Sequence, residues 1–318
     1  MRSPALSGIF VPTLAAVDAD GRLNEPEQRR LFDWLLARGV AGLYPNGSTG
    51  EFLRLPPATQ DRILELAVAA ASEADGDPLI LAGAYGATVP LALERCRAAA
   101  DRGARAAAVV APFYYRVGDD AVRGFYRELA AASPIDLMLY NIPLFASPIS
   151  AGVVAELAVE CPRIIGIKDS SGDAAHMQRM LSRVRPQRPD FAFLTGWDNV
   201  LTSMLLLGCD GGTHAAANVV PEVLVAIFDA VRGGDLHTAR RLQAPLADLF
   251  DTLIGSNVSD GPEFPDGFRI GTAARGFAVE PGLLPRGEAD QRRLAALSSR
   301  VPELLAAFGD LVTASPST

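Results

Sequence analysis

The chain reads as an α/β protein: a (β/α)8 TIM barrel carrying a C-terminal helical appendage. Three observations predict this. Eight short apolar runs are bounded by Gly, Pro or Asp, and helical segments lie between them. The runs are continuous rather than alternating, as in parallel strands covered on both faces. Eight such units in about 235 residues match the size of this barrel, typically ~250 residues. A doubly wound open sheet would carry a glycine-rich phosphate loop after its first strand, and Val11-Pro12-Thr13-Leu14 is not one.

The first run, Gly8–Ala15, leads into a turn at Asp18-Ala19-Asp20-Gly21, and helical spacing follows over Glu25–Arg38. Gly42–Asn46 is the second run, with a helix over Pro57–Ala74. Leu79–Tyr85 is the third, with a helix over Thr88–Arg102 whose start is marked by Thr88 and by Pro90 just inside. Ala106–Tyr114 precedes a helix over Asp119–Ala132. Asp136–Pro143 precedes one over Ser150–Glu160, where Ser150 stands before Val153-Val154. Ile164–Lys168 precedes a helix over Asp173–Val184, and the runs Phe191–Trp197 and Asp210–Val219 complete the eight. After Gly233-Gly234 the strands stop. Asp235–Gly255 and Glu288–Leu311 read as amphipathic helices, with a short helix near Phe268–Gly276. The expected division is residues 1–234 for the barrel and 235–318 for the helical region.

Hydrophobic residues make up 49% and charged residues 21% of the 318, ordinary for a compact soluble protein. A net charge of −8 argues against nucleic acid, which demands a basic face. No stretch reaches the roughly 18 unbroken apolar residues of a membrane span. Gly8-Ile9-Phe10-Val11 has Arg2 as the only basic residue before it and runs into Pro12 and a turn, so it reads as a first strand rather than a cleaved signal. Cys96, Cys161 and Cys209 are far apart and form no Cys-x-x-Cys pair, which suits a reducing cytoplasm and gives no zinc site. The three histidines are scattered, so no metal is expected.

One lysine, Lys168, stands against 28 arginines. Arginine supplies surface charge but cannot shed its proton to attack a carbonyl carbon; an amine can. In such a barrel the active site lies at the C-terminal ends of the strands. Lys168 ends the sixth run, so it falls where chemistry is expected. The other strand ends are also polar. The second run ends in Pro45-Asn46-Gly47-Ser48-Thr49-Gly50-Glu51 and the fourth in Pro112-Phe113-Tyr114-Tyr115. The fifth ends in Tyr140-Asn141-Ile142-Pro143, the seventh in Gly196-Trp197-Asp198, and the eighth runs through Gly211-Gly212-Thr213-His214.

Gly47-Ser48-Thr49-Gly50 offers two hydroxyls and backbone N–H groups in a tight turn, a nest suited to a carboxylate or phosphate. Taken alone, it also reads as a strand-to-helix turn with capping hydroxyls. Tyr140 is expected on the strand beside Lys168, where a phenol next to a developing iminium shuttles protons. Without the lysine it would be an amphipathic core residue. His214 fits a supporting hydrogen-bond partner better than a catalytic group. Trp197 and Phe145 are expected in the pocket wall, and Asp198 either in the pocket or as the cap of the following helix.

Together these pieces resemble the dihydrodipicolinate synthase and N-acetylneuraminate lyase family, the pyruvate-dependent class I aldolases. Gly47-Ser48-Thr49-Gly50-Glu51, Pro112-Phe113-Tyr114-Tyr115, Tyr140-Asn141-Ile142-Pro143 and Ile165-Gly166-Ile167-Lys168 occur in the family's order. The resemblance implies that Lys168 forms a Schiff base with a 2-oxo acid such as pyruvate, and that Ser48 and Thr49 hold the carboxylate. It makes Tyr140 the proton shuttle, linked through Ser48 to a Tyr114 contributed across a tight dimer interface. Gly196 and Thr213 line the site. No cofactor is required, and a homotetramer built as a dimer of dimers is implied.

Departures from the family pattern bear on the substrate. Where dihydrodipicolinate synthases carry an arginine for the second substrate's carboxylate, this chain has Phe145, and an apolar ring cannot replace a bidentate guanidinium. Against sialic acid lyases, Asp198 matches an acidic polyol-binding position, but Asn199 replaces a glutamate and Ala215 a serine. Ser170 remains available to a hydroxyl near the reacting centre. The expected activity is an aldolase or dehydratase acting on a 2-oxo acid, foremost a 2-keto-3-deoxy sugar acid, with pyruvate and an aldehyde as the small-molecule partners. Activities like those of N-acetylneuraminate lyase or dihydrodipicolinate synthase stand as alternatives. Rivals of other kinds are pyridoxal phosphate chemistry and a non-catalytic 2-oxo acid binding protein.

Overall fold

A computed structural model describes residues 6–18, 20–255, 263–279 and 283–312. Ala19 of the predicted turn and the outermost residues of both predicted regions lie outside these. Eight strands alternate with helices: β1 (Gly8–Val11), α1 (Glu25–Ala37), β2 (Gly42–Leu43), α2 (Pro57–Glu73), β3 (Leu79–Ala84), α3 (Val89–Asp101), β4 (Ala106–Val110) and α4 (Asp119–Ala132). They continue as β5 (Leu137–Asn141), α5 (Ala151–Glu160), β6 (Ile164–Asp169), α6 (Ala174–Val184), β7 (Ala192–Thr195), α7 (Leu201–Leu207), β8 (Gly211–Thr213) and α8 (Pro221–Arg232). All neighbours pair in parallel, and β1 pairs with β8 to close the barrel. Then come α9 (Leu236–Ile254), α10 (Asp266–Ala273) and α11 (Glu288–Ala306).

Strand parity sorts the side chains. Phe10, Leu81, Ala106, Ala108, Met138, Ala192 and Leu194 form one buried cluster with Tyr44, and Val110 and Tyr140 a second. Their neighbours in sequence, such as Val109, Leu139 and Phe193, join the large core beneath the helices. Small inward residues at 106, 108 and 192 leave room for two tyrosines and a lysine above them. Tyr140 pairs with Lys168, and Asn141 with Asp169, across β5 and β6. Lys168 therefore shares the inward face with Tyr140, and Asp169 turns outward; a slip of one residue would exchange them.

The apolar runs outlast the hydrogen-bonded strands. The second run reaches Asn46 but β2 ends at Leu43, and the eighth reaches Val219 whereas β8 ends at Thr213. Residues 44–47 and 214–220, beyond the strands, stay largely buried. Continuous apolar sequence reports burial, and burial continues past the last ladder bond. The end of the predicted eighth strand is instead a short 3-10 turn, Ala215–Asn218, followed by α8, whose Pro221 occupies the first helical position that proline favours. At the predicted helix starts, the Ser150 hydroxyl accepts from Val153 N–H at 3.3 Å, whereas Thr88 stands at the N-cap with no side-chain hydrogen bond.

Candidate active site

Lys168 is 4% exposed, and its Nζ lies 4.2 Å from the centroid of the Tyr140 ring and 4.8 Å from that of Tyr44. Among the described residues it makes no ion pair, whereas the two buried arginines, Arg269 and Arg275, each have a carboxylate partner. The lone amine is thus held by aromatic walls at the C-terminal end of β6. Tyr44 carries no motif that singles it out, but the alternation Gly42, Tyr44 on β2 and its extension marks it as inward. Its burial pushes the phenol well above its usual range, and the nearby Tyr140 adds to the shift. Tyr44 therefore stays neutral and packs edge-on against Tyr140 at 6.4 Å.

The two hydroxyl groups expected to work together are near one another: Ser48 Oγ and Tyr140 Oη are 3.4 Å apart, with either able to donate. The turn that carries Ser48 has a defined shape. Asn46 and Glu51 both adopt left-handed backbone, with φ of 60° and 55°. Between them Gly50 N–H donates to Gly47 O at 3.1 Å and Glu51 N–H to Ser48 O at 3.0 Å. Among the described residues neither the Ser48 nor the Thr49 N–H has an acceptor. Two free amides beside two hydroxyls form a concave donor set for an anion. Gly47 fits beneath because a Cβ there would come within 3.3 Å of the Tyr44 ring.

Gly196 and Ser170 close the other side. Gly196 N–H donates to Asp169 O at 2.8 Å, and Ser170 N–H to Asn141 O at 2.8 Å. A Cβ on Gly196 would lie 2.1 Å from Ser170 Oγ and 3.0 Å from Lys168 Cε, so the strand end needs glycine for the lysine to pass. On the outward face Asn141 Nδ2 donates to Asp169 Oδ1 at 2.6 Å, Ser171 Oγ donates to Asp169 Oδ2 at 2.8 Å, and Ile149 N–H donates to Asn141 Oδ1 at 2.9 Å. Burial is the main influence on the Asp169 carboxyl and raises it above the usual range.

The remaining candidates are placed differently from one another. Thr213 is buried in register with Phe10, on the inward face. Asp198 does not cap the helix that follows it. Its Oδ1 accepts from Ala216 N–H at 2.8 Å, and Oδ2 lies 3.5 Å from His214 Nδ1, with both side chains almost wholly buried. His214 sits on the outward face of the β8 extension, over Gly212, where a Cβ would strike its ring at 2.0 Å. Trp197 packs against Phe250 at 5.5 Å and Phe145 against Phe264 at 6.1 Å. Tyr114 is not gathered into the site by its own chain. It is 86% exposed, has φ of 69°, and stacks edge-on with Tyr115 at 4.8 Å. Among the described residues no group of three or more His, Cys, Asp or Glu side chains is placed to hold a metal ion.

Residues 5–301 match the dihydrodipicolinate synthetase family. The chain is 32% identical over 244 residues to the Escherichia coli protein described as "Probable 2-dehydro-3-deoxy-D-pentonate aldolase YjhH", covering 76% of this chain and 80% of that one. It is also 32% identical over 280 residues to a 4-hydroxy-tetrahydrodipicolinate synthase of an Exiguobacterium species, covering 88% and 91%. Among solved structures, that of YagE from E. coli K12 in complex with pyruvate superposes with a TM-score of 0.84 at 28% identity, covering 94% and 98% of the two chains.

Proposed function

This chain belongs to the dihydrodipicolinate synthetase family, which makes it a pyruvate-dependent class I lyase on a TIM barrel, and on that premise we propose that it cleaves a 2-keto-3-deoxy sugar acid to pyruvate and an aldehyde. The observation that carries this reading is the buried Lys168 amine, free of any carboxylate partner among the described residues and flanked by Tyr140 and Tyr44.

In the proposed reaction the neutral amine adds to C2 of the 2-oxo acid. The carbinolamine then loses water to give a protonated imine. That imine draws electrons from C3–C4: the bond breaks, the pair becomes the enamine, and C4 leaves as the aldehyde carbon. Tyr140 takes the proton from the C4 hydroxyl as the bond breaks and passes it on through Ser48. Protonation at C3 and hydrolysis of the imine release pyruvate and regenerate Lys168. The Ser48 and Thr49 hydroxyls and their free amides hold the substrate carboxylate. Ser170, Gly196, Thr213 and Asp198 border the aldehyde half, with Asp198 acting chiefly through the Ala216 amide that it fixes. Phe145 supplies an apolar surface with no cation for a second carboxylate, which favours cleavage of a sugar acid over condensation with an amino-acid semialdehyde. Tyr114, exposed in its own chain, is assigned to the site of a partner copy in a dimer of dimers. The three unpaired thiols support a cytoplasmic setting.

The test is borohydride reduction with pyruvate, followed by intact-mass measurement. The expected result is one reduced pyruvyl adduct in the wild type and none in Lys168→Arg. No adduct, or one that survives this substitution, would sink the mechanism. A pyruvate-release screen over 2-keto-3-deoxy acids, with N-acetylneuraminate included, then tests the substrate; release from N-acetylneuraminate alone overturns the sugar-acid assignment, and adduct formation without any turnover marks a binding protein.

A further inference from the structure

The carboxylate turn is held from outside the barrel by a residue of the C-terminal helices. Arg269, on α10, is fully buried, and Glu51 at the end of the turn is almost as deeply buried. The Arg269 Nε donates to Glu51 Oε2 at 2.8 Å, and its Nη2 donates to the same oxygen. Its Nη1 donates at 2.9 Å to the carbonyl of Ala15, in the loop after β1. The other Glu51 oxygen accepts from Arg54 Nη1 at 2.7 Å. One helical turn further on, Thr272 Oγ1 donates at 3.0 Å to the carbonyl of Asn218, in the turn after β8. A single short helix thus grips the loops that follow three adjacent strands, at the end of the barrel where the site lies. It is brought close by small residues: a Cβ on Gly267 would lie 1.9 Å from the Leu253 carbonyl oxygen, and one on Gly271 2.7 Å from Val219.

Glu51 also holds left-handed backbone, which costs a non-glycine residue energy unless something fixes it there. The buried fork from Arg269, with Arg54 on the other oxygen, ties its side chain down in that conformation. The Ser48 and Thr49 amides lie within the three residues before that anchor, so the direction in which they point follows from where Glu51 is held. We infer that Arg269 is a positioning residue for carboxylate recognition: through Glu51 it sets the turn from Asn46 to Glu51 in the shape that presents the Ser48 and Thr49 donors. This rests on the assignment of that turn as the carboxylate site.

The experiment compares the wild type with Arg269→Lys, which keeps the charge but loses the fork, and with Glu51→Met combined with Arg269→Met, which removes both charges so that neither is left buried alone. Each protein is titrated with pyruvate and with hydroxyacetone, a methyl ketone of similar size lacking the carboxylate, and adducts at Lys168 are trapped with borohydride. Misplaced donors should raise the half-saturating pyruvate concentration by roughly tenfold or more while hydroxyacetone trapping stays within about twofold. Arg269→Lys should fall between, and it decides the matter with the same ratio if the double variant does not fold. Equal loss for the two ketones, or no change for pyruvate, overturns the inference. The functional reading is checked separately in the wild type: if hydroxyacetone is trapped as readily as pyruvate, the turn holds no carboxylate, and that reading fails whatever Arg269 does.

Discussion

Gly196 shows how narrowly the site is built. With Ser170 Oγ and Lys168 Cε both crowding the place of a Cβ, an added methyl has to push one of them aside. Gly196→Ala should therefore lower kcat by about 100-fold, because a displacement of the order of 1 Å at the nucleophile is enough. Its melting temperature should move only modestly, since overpacking of this kind costs about 1–3 kcal/mol. Steady-state rates beside a thermal melt check both halves; retention of wild-type kcat would show that Lys168 does not pass through this gap. Much of this detail is legible in sequence, because glycine, lysine and serine at strand ends are conspicuous. Tyr44 is less so: it lies one residue beyond β2, and only the inward parity of that strand's extension reveals it.

At the scale of elements, the pairing of β5 with β6 brings Tyr140 to Lys168 on one face and Asn141 to Asp169 on the other. The outward pair pins the register on which the inward pair depends. Burial raises the Asp169 carboxyl, so the folded state binds that proton more tightly than the unfolded chain does. The group is neutral in its effect below about pH 4, the ordinary carboxylate range, and turns against folding as pH rises through the raised value. Asp169→Asn keeps the shape and can still accept from Asn141. The difference in melting temperature, variant minus wild type, should therefore grow from pH 4 to pH 7; a flat difference would contradict the raised value. The docking of α10 is equally exacting. Gly267→Ala should cost about 1–3 kcal/mol in urea unfolding by forcing α10 away from the Leu253 carbonyl of α9. The sequence marks the short helix but not its seat, since Arg269 looks like any of the 28 arginines until the fold buries it against Glu51.

For the whole molecule, the informative feature is an aromatic pair facing away from its own barrel. Tyr114 and Tyr115 are 86% and 77% exposed, an unusual position for two large rings on a short loop after β4. In the proposed assembly Tyr114 inserts into a second copy and completes its Ser48–Tyr140 relay. Tyr114→Asp should then disperse the oligomer in light scattering and lower activity by at least about tenfold, since a charge in a packed aromatic contact lacks a partner. A wild-type protein that is monomeric and fully active would remove Tyr114 from the mechanism.

From the sequence alone follow the barrel, its eight strands, the lone amine and the polar strand ends, because each is written in local pattern: apolar runs, helical spacing, residue chemistry. Local pattern does not tell where a buried run stops being a strand, which is why the second and eighth runs read too long. Nor does it tell which distant charge meets which. The Glu51–Arg269 pair, the Asn141–Asp169 bridge and the turning of Asp198 toward Ala216 and His214 join residues up to 218 positions apart. Such pairings depend on how helices seat against the barrel, and only packing in three dimensions decides that.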